Sequence, residues 1–293
     1  MHAVSVIMPT RAIVERGALL RRALASVLEQ RDICVVPLVI INGRDADHLL
    51  TRELHEDRRV RVAILEQADL PAALRAGRNL VDTPFFAELD DDDVLLPGAL
   101  TSRVQALLES PECHSVVSNG FRRDSMGDRL HIPDISVLER DPLRALLRDN
   151  WLLPGSWLCR TEAIGASVFD GMPKFLECTY LAVRLALDGA LRFLSQPTVI
   201  WHSDTPLSVS RSRDYVLGQP AALSQILDLE LPPDVRAGIR TRMSGAYHAI
   251  ASLHLNEGSF EEAWSWHLRS IREPGGWRHV SFSRHLLRAS LRV

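Results

Sequence analysis

The sequence has 293 residues, 46% of them hydrophobic and 24% charged, a make-up that excludes disorder and fibrous repeats and suffices for a substantial core. With 34 Lys and Arg against 37 Asp and Glu, the formal net charge is −3, so nothing draws the chain globally to nucleic acid and any anionic ligand must be held by local geometry. Cys34, Cys113, Cys159 and Cys178 lie far apart without a CxxC pair, which argues against a zinc site or a dense disulfide framework and fits a reducing, cytoplasmic setting.

Residues 3–8 (AVSVIM) read as a β-branched strand, and 17–30 as a helix with Leu20, Ala23, Leu24, Val27 and Leu28 on one face. A strand follows at 35–41 (VVPLVII), then helical patterning at 46–56, a strand at 60–65, a helix at 70–80 and a strand at 84–89 (PFFAEL). Strands alternating with helices predict an α/β fold whose parallel sheet is buried on both faces. Beyond it the pattern predicts a helix at 98–109, a strand at 114–119, loops near Pro133 and Pro154, and a helix at 177–188. From about 213 the pattern is purely helical. One helix spans roughly 233–256, Gly258 breaks it, and Ser259 with Glu262 has capping-box spacing for the next, predicting a packed antiparallel pair. The expected domains are 1–212 and a helical extension, 213–293. No apolar run approaches the roughly 20 residues of a membrane span, and the N-terminus lacks a signal-peptide pattern.

Open α/β sheets bind ligands beyond the carboxyl ends of their strands. That rule singles out Pro9, Thr10 and Arg11 after the first strand, Asn42 and Gly43 after the second, and Asp90, Asp91, Asp92 and Asp93 after the fourth. A run of aspartates is ordinarily a solvated charge cluster. At a strand end, however, crowded carboxylates repel one another, and a divalent cation relieves that repulsion most directly. Hard oxygen ligands select Mg²⁺ or Mn²⁺, which keep open positions for phosphate oxygens. The quartet thus has the character of a clamp for a metal and a diphosphate.

Four ordered stretches now bear on identity: VSVIMPTR (4–11), ALASVLEQ (23–30) with Ser26 and Gln30, GRNLVDTPFFAELDDDDVLLPGAL (77–100) and LECTYLAVRLALDG (176–189). Together they resemble family 2 glycosyltransferases of the GT-A fold, a Rossmann-like nucleotide-diphospho-sugar transferase domain, over about residues 3–210. The resemblance implies a nucleotide-diphosphate sugar donor and a divalent ion on the DxD carboxylates. Asp90 and Asp92 take the DxD places, Asp92 being the expected metal ligand. Asp91 or Asp90 is expected nearer the ribose, and Asp93 toward the sugar hydroxyls. Pro9 to Arg11 would border the base. Arg78 either approaches the nucleotide or pairs with Asp82 at i, i+4. His202, after PTVIW, falls where a His or Arg reaches the phosphates or the metal. Arg211 and Arg213 are further diphosphate candidates on a loop able to close over the donor. Trp151 and Trp157 fall where relatives line the acceptor groove, with core packing as the alternative.

Two departures stand out. Where relatives carry an acidic turn after the second strand, this chain reads IINGR (40–44), so Asn42 can hydrogen-bond a base without supplying charge. Uridine is the first choice, with guanosine and thymidine open. Inverting members use the aspartate of an ED pair, seven residues before an Arg counted from the Glu, as general base. Glu177 and Arg184 keep that spacing, but Cys178 stands at the aspartate place. A thiol with an ordinary pKa of about 8.5 is a poor base there, which leaves Glu177 as the candidate.

After Glu273 no acidic residue occurs, and Arg284, Arg288 and Arg292 recur every four positions, with Leu287 and Leu291 expected on the opposite, apolar side. Such a stripe can rest on an anionic membrane surface or pack on the domain. The expected activity is inverting, metal-dependent transfer of a sugar to a carbohydrate, lipid-linked or other hydroxyl, as in polysaccharide biosynthesis. The rivals are a catalytically weak nucleotide-sugar-binding protein or scaffold, and a nucleotidyltransferase.

Overall fold

A computed structural model describes residues 2–205 and 208–290. The chain separates into two compact units, Met1–Met172 with Glu177–Pro206, and Pro173–Leu176 with Leu207–Val293. The break thus falls at 206/207, a few residues before the expected 212/213, and a four-residue stretch ahead of Glu177 groups with the helical unit.

The first unit opens with β1 (Ala3–Thr10), α1 (Gly17–Leu28), β2 (Cys34–Asn42), α2 (His48–Glu56), β3 (Arg61–Leu65), α3 (Leu70–Asn79) and β4 (Phe85–Glu88). These strands pair in parallel in the order β3-β2-β1-β4, with Val4 opposite both Val35 and Phe85. Every residue from Val4 to Thr10 is buried, which is why β1 reads as a continuous apolar run: helices cover both faces of the sheet. Asp47 and Asp69 cap α2 and α3, their carboxylates accepting from the amides of Leu50 (2.8 Å) and Ala72 (3.0 Å).

Next come β5 (Val94–Leu95), α4 (Ala99–Glu109), β6 (Ser115–Asp124), β7 (Gly127–Leu130), α5 (Ser136–Arg140), α6 (Pro142–Ala145), β8 (Trp157–Arg160), α7 (Glu177–Asp188) and β9 (Leu191–His202). The sheet is mixed and not wholly parallel as expected: β4 pairs antiparallel with β8, β8 with β6, and β9 with β5, while β6 and β9 are parallel. The short antiparallel strands carry little apolar periodicity. All four residues of β7 are exposed, and β8 follows Pro154 and Gly155.

The close packing of α3 on the sheet depends on Gly77. A Cβ there would lie 2.4 Å from Cγ2 of Ile7, in the centre of β1. Gly77→Ala is expected to destabilise the protein by about 1–3 kcal/mol through overpacking, read as a lower urea midpoint with an unchanged slope.

The second unit holds α8 (Arg213–Leu227), α9 (Pro233–Asn256), α10 (Phe260–Arg272) and α11 (Phe282–Ser290). In the antiparallel pair α9/α10, Tyr247 meets Trp266 at 5.6 Å, and Ser244 and Ser270 exchange hydroxyl-to-carbonyl bonds of 2.9 and 2.8 Å. The expected capping box is not made: Ser259 occupies the N-cap without a side-chain bond to the helix. Its amide instead donates to the His254 carbonyl while that of Gly258, at φ +77, donates to Leu255, and this pair of bonds ends α9.

Candidate functional site

The site is assembled at the carboxyl ends of β1 and β4. Past β1 the backbone turns through Ala12 in the left-handed region (φ 48), whose amide donates to Thr10 Oγ1 (2.9 Å). That contact aims the Thr10 hydroxyl at Asp91, to which it donates at 2.6 Å. Arg16 reaches the same carboxylate from the turn before α1, its Nε donating at 3.0 and 3.2 Å, and its Nη2 also lies 3.1 Å from Asp92 Oδ2. Burial opposes the charge on Arg16, but the hydrogen bonds and charges of Asp91 and Asp92 outweigh it and raise its pKa further. Thr205 donates to the same Asp92 oxygen, Oδ2 (2.6 Å), and Arg22 donates to the Asp92 carbonyl (2.6 Å).

Ser26 and Gln30 brace the turn that follows. Ser26 Oγ accepts from the Leu95 amide (3.1 Å), while Gln30 accepts from the Leu100 amide (3.2 Å) and donates to the Leu96 carbonyl (3.0 Å). These bonds hold β5 and the start of α4 against α1, and with them the aspartates.

Asp90, Asp92 and Asp93 each offer an oxygen within 4.8 Å of the others. Burial pushes the Asp90 and Asp93 carboxyls well above their ordinary range, and their acidic neighbours push the same way. Asp93 is fully buried; its Oδ1 accepts from the His202 amide (2.8 Å), and its Oδ2 has no hydrogen-bond partner. His202 Nδ1, 3.7 Å from Asp93 Oδ1, is likewise buried without a hydrogen bond. Burial, with Arg22 and Arg123, lowers the His202 pKa, so the imidazole is neutral at pH 7 and its lone pair is available. Three convergent carboxylates, one of them with an orphaned buried oxygen, form a donor set that fits a hard divalent cation, with the His202 imidazole next to Asp93.

Beneath the cluster lie two charged groups that the sequence reading passed over. Glu88 is buried in β4 and accepts from the Gly155 amide (3.3 Å); burial lifts its carboxyl to about 7, although Gly155 and Arg103 hold it down. Arg103, wholly buried on α4, donates to the Gly155 carbonyl (2.5 Å), to the Trp157 carbonyl (3.3 Å) and to Ser118 Oγ (3.1 Å). An acid inside an apolar strand and an arginine on the inward stripe of a helix were the available signals.

Other expected residues lie elsewhere. Asp93, expected toward sugar hydroxyls, faces the interior instead. Arg78 donates to the carbonyls of Ile164 (2.9 Å) and Thr161 (2.6 Å), and the alternative pair with Asp82 is not made, since Arg61 holds Asp82 at 2.9 Å. Trp151 and Trp157 are 2% and 1% exposed, packed edge-on against Phe193 and Phe86, which removes their indole faces from any acceptor groove. Asn42 Oδ1 accepts from the Asp69 amide (2.7 Å) and so ties β2 to α3. Pro9 is buried within β1, and Arg11 pairs with exposed Asp45. In the second unit, Arg211 ends the turn Val209–Arg211, and Arg213 pairs with Glu257 (2.8 Å) instead of standing free as a diphosphate clamp.

Glu177 and Cys178 open α7, both half-buried. Burial raises the Cys178 thiol well above its ordinary pKa, and the charges of Glu88, Asp90, Glu177 and Asp93 raise it further, so the thiol stays protonated. Arg184 donates to the Ser167 carbonyl (3.1 Å) and to the Tyr180 hydroxyl (3.3 Å).

Comparisons with known proteins bear on the fold and the family. Among solved structures, S. aureus TarS 1–349 in complex with UDP-GlcNAc superposes with a TM-score of 0.59 at 12% identity, over 93% of this chain and 81% of that one. The same TarS segment in complex with UDP gives 0.54 at 14% identity, over 90% and 78%. Against a longer TarS structure the TM-score is 0.54 at 14% identity, and the match covers 84% of this chain but 43% of that one. These likenesses show the fold. No curated protein sequence matches the chain. The profile described as glycosyl transferase family 2 matches residues 5–161, more than half of the sequence, and the chain, with its GT-A-like sheet and helical C-terminus, therefore belongs to that family.

Proposed function

We propose that the protein transfers the sugar of a UDP-sugar to an acceptor hydroxyl with inversion at the anomeric carbon, and that Asp90, Asp92, Asp93 and His202 hold a Mn²⁺ or Mg²⁺ ion for this purpose. The observation that carries the reading is the buried Asp93 Oδ2, orphaned beside two further carboxylates. The UDP and UDP-GlcNAc complexes of TarS support uridine as the base. When bound, the ion offsets the charge that develops on the departing diphosphate. Asp91, held by Thr10, takes the ribose hydroxyls in this reading, with the end of β1 toward the base. Glu177 takes the proton of the attacking hydroxyl as the new C–O bond forms and the bond to the diphosphate breaks. The neutral Cys178 thiol does not serve as base. The first test is a thermal-shift panel of nucleoside diphosphates and UDP-sugars with and without Mn²⁺. UDP and a UDP-sugar should raise the melting temperature only with the metal; equal shifts without it, or none, count against the reading.

Arg16 enters this scheme as a competitor. It neutralises Asp91 and Asp92 in the absence of a cation, so Arg16→Gln is expected to tighten Mn²⁺ binding several-fold, about 1 kcal/mol, in an EPR titration with the metal alone. The same change should lower the metal-free melting temperature. Weaker Mn²⁺ binding in the variant would show that Arg16 orients these carboxylates for the ion.

The Cys178 thiol favours a second reading, a catalytically weak nucleotide-sugar binder. UDP release from the donor in water separates the two, because a binder shows the thermal shift without turnover.

A further inference from the structure

We propose that the turn and helix at the end of the second unit form a docking surface for an anionic lipid bilayer. Four of the 13 large apolar residues left exposed anywhere among the described residues fall between positions 268 and 287: Leu268, Trp277, Val280 and Leu287. Trp277 is 75% exposed and is the one aromatic residue in that set. The Arg278 guanidinium lies 5.7 Å from the centre of its ring. An indole displayed beside a guanidinium suits the boundary between headgroups and acyl chains, where the ring is half desolvated and the cation reaches the phosphates.

The helix that follows corrects the expected stripe. In α11 the inward residue is Leu286, fully buried, and Phe282 packs edge-on against His248 (4.7 Å) and His267 (5.5 Å). Leu287 is 53% exposed. At about 100° per residue it lies in the same outward sector as Arg284 and Arg288, not opposite them. Leu291 and Arg292 lie outside the described residues. The outer face of α11 therefore mixes leucine with arginines, while the helix satisfies its own core with other side chains.

Charge selects the occupant. Residues 274–293 contain Arg278, Arg284, Arg288 and Arg292 and no acid. Upstream, Arg269 and Arg272 are exposed at the end of α10, and the nearest acid, Glu273, is held by Arg240 at 3.0 Å. A segment whose charged side chains are all cations repels a second copy of itself and complements a surface of phosphates. No helix among the described residues is long and apolar enough to cross a membrane, so the contact is one of lying on the surface.

The test uses the full chain with sedimenting vesicles of phosphatidylcholine alone or with about one third phosphatidylglycerol. Binding to the anionic vesicles should fall at least ten-fold in 0.5 M salt and on neutral vesicles. Trp277→Ser and the double variant Arg284→Glu/Arg288→Glu should each lower it ten-fold, whereas Arg52→Glu, in an exposed pair on α2, should not. Anionic vesicles should also blue-shift the tryptophan emission of the parent chain and leave Trp277→Ser unshifted. Matching melting temperatures and Mn²⁺-dependent UDP shifts show that the variants fold, and keep this result separate from the sugar-transfer reading. Equal sedimentation of all variants, recovery of the parent in the supernatant, or Trp277-dependent self-association without vesicle binding overturns the proposal.

Discussion

Asp92→Asn is expected to abolish the Mn²⁺-dependent thermal shift with UDP and to lower donor turnover by about 10²–10³-fold, while leaving the metal-free protein as stable as the parent or more so. The opposed signs follow from the cluster. Four consecutive aspartates repel one another with Glu88 beneath them, so removing one charge relieves the metal-free fold even though Arg16 loses a charged partner. The same crowding makes the site a proton store. Glu88 has its carboxyl lifted from 4.5 to about 7, and Asp90 and Asp93 are raised in the same sense. A group with a raised folded-state pKa contributes stability that is complete below its unfolded value and lost as pH climbs through the folded one. For Glu88 that window runs from about 4.5 to about 7, so the metal-free protein should be more stable at pH 5.5 than at pH 8. A bound cation makes the ionised forms favourable, so Mn²⁺ affinity should rise across the same window, with protons released on binding. Calorimetry in two buffers of different ionisation enthalpy measures that release directly. Mn²⁺ binding that is independent of pH, or retained in full by Asp92→Asn, would place the cation elsewhere.

How much of this was legible beforehand follows from how local each determinant is. The parallel half of the sheet was readable because β1 is buried along almost its whole length and β2 from Pro37 to Asn42, which makes both apolar at nearly every buried position. Helices 177–188 and 233–256 match α7 and α9 residue for residue, since a long 3.6-residue period bounded by a glycine or a proline leaves little freedom. The strands that make the sheet mixed were not readable. β5 is two residues long and exists through its pairing with β9, and no local pattern encodes a partner about a hundred positions away. The site divides the same way. The aspartate quartet is contiguous and stands out, but the ion pair of Arg16 with Asp91 spans 75 positions and the bond from Thr205 to Asp92 spans 113. The choice between acceptor groove and core packing for Trp151 and Trp157 was open for a related reason: the core packing comes from Phe193 and Phe86, which are brought in from distant positions.

Glu177→Gln carries the second large expected effect: UDP release from the donor should fall by about 10²-fold or more, with the Mn²⁺-dependent UDP shift unchanged, because proton removal is lost and binding is not. The neighbouring residue makes the test decisive. Cys178 stands where the family pattern has an aspartate, and its thiol is kept protonated by burial and by the carboxylates of Glu88, Asp90, Glu177 and Asp93. Cys178→Asp would add a further carboxyl to that neighbourhood, subject to the same forces, and it would compete with Glu177 for one proton. If Glu177 is the base, Cys178→Asp should lower the metal-free melting temperature and bring no gain in turnover, and Glu177→Gln/Cys178→Asp should recover little activity. A rise in turnover of ten-fold or more in Cys178→Asp, with Glu177→Gln nearly silent, would instead assign the proton transfer to position 178 and make the natural cysteine the reason the enzyme is slow. Two variants and their combination thus separate a displaced base from a missing one, since only a displaced base leaves the native chain with a group to lose.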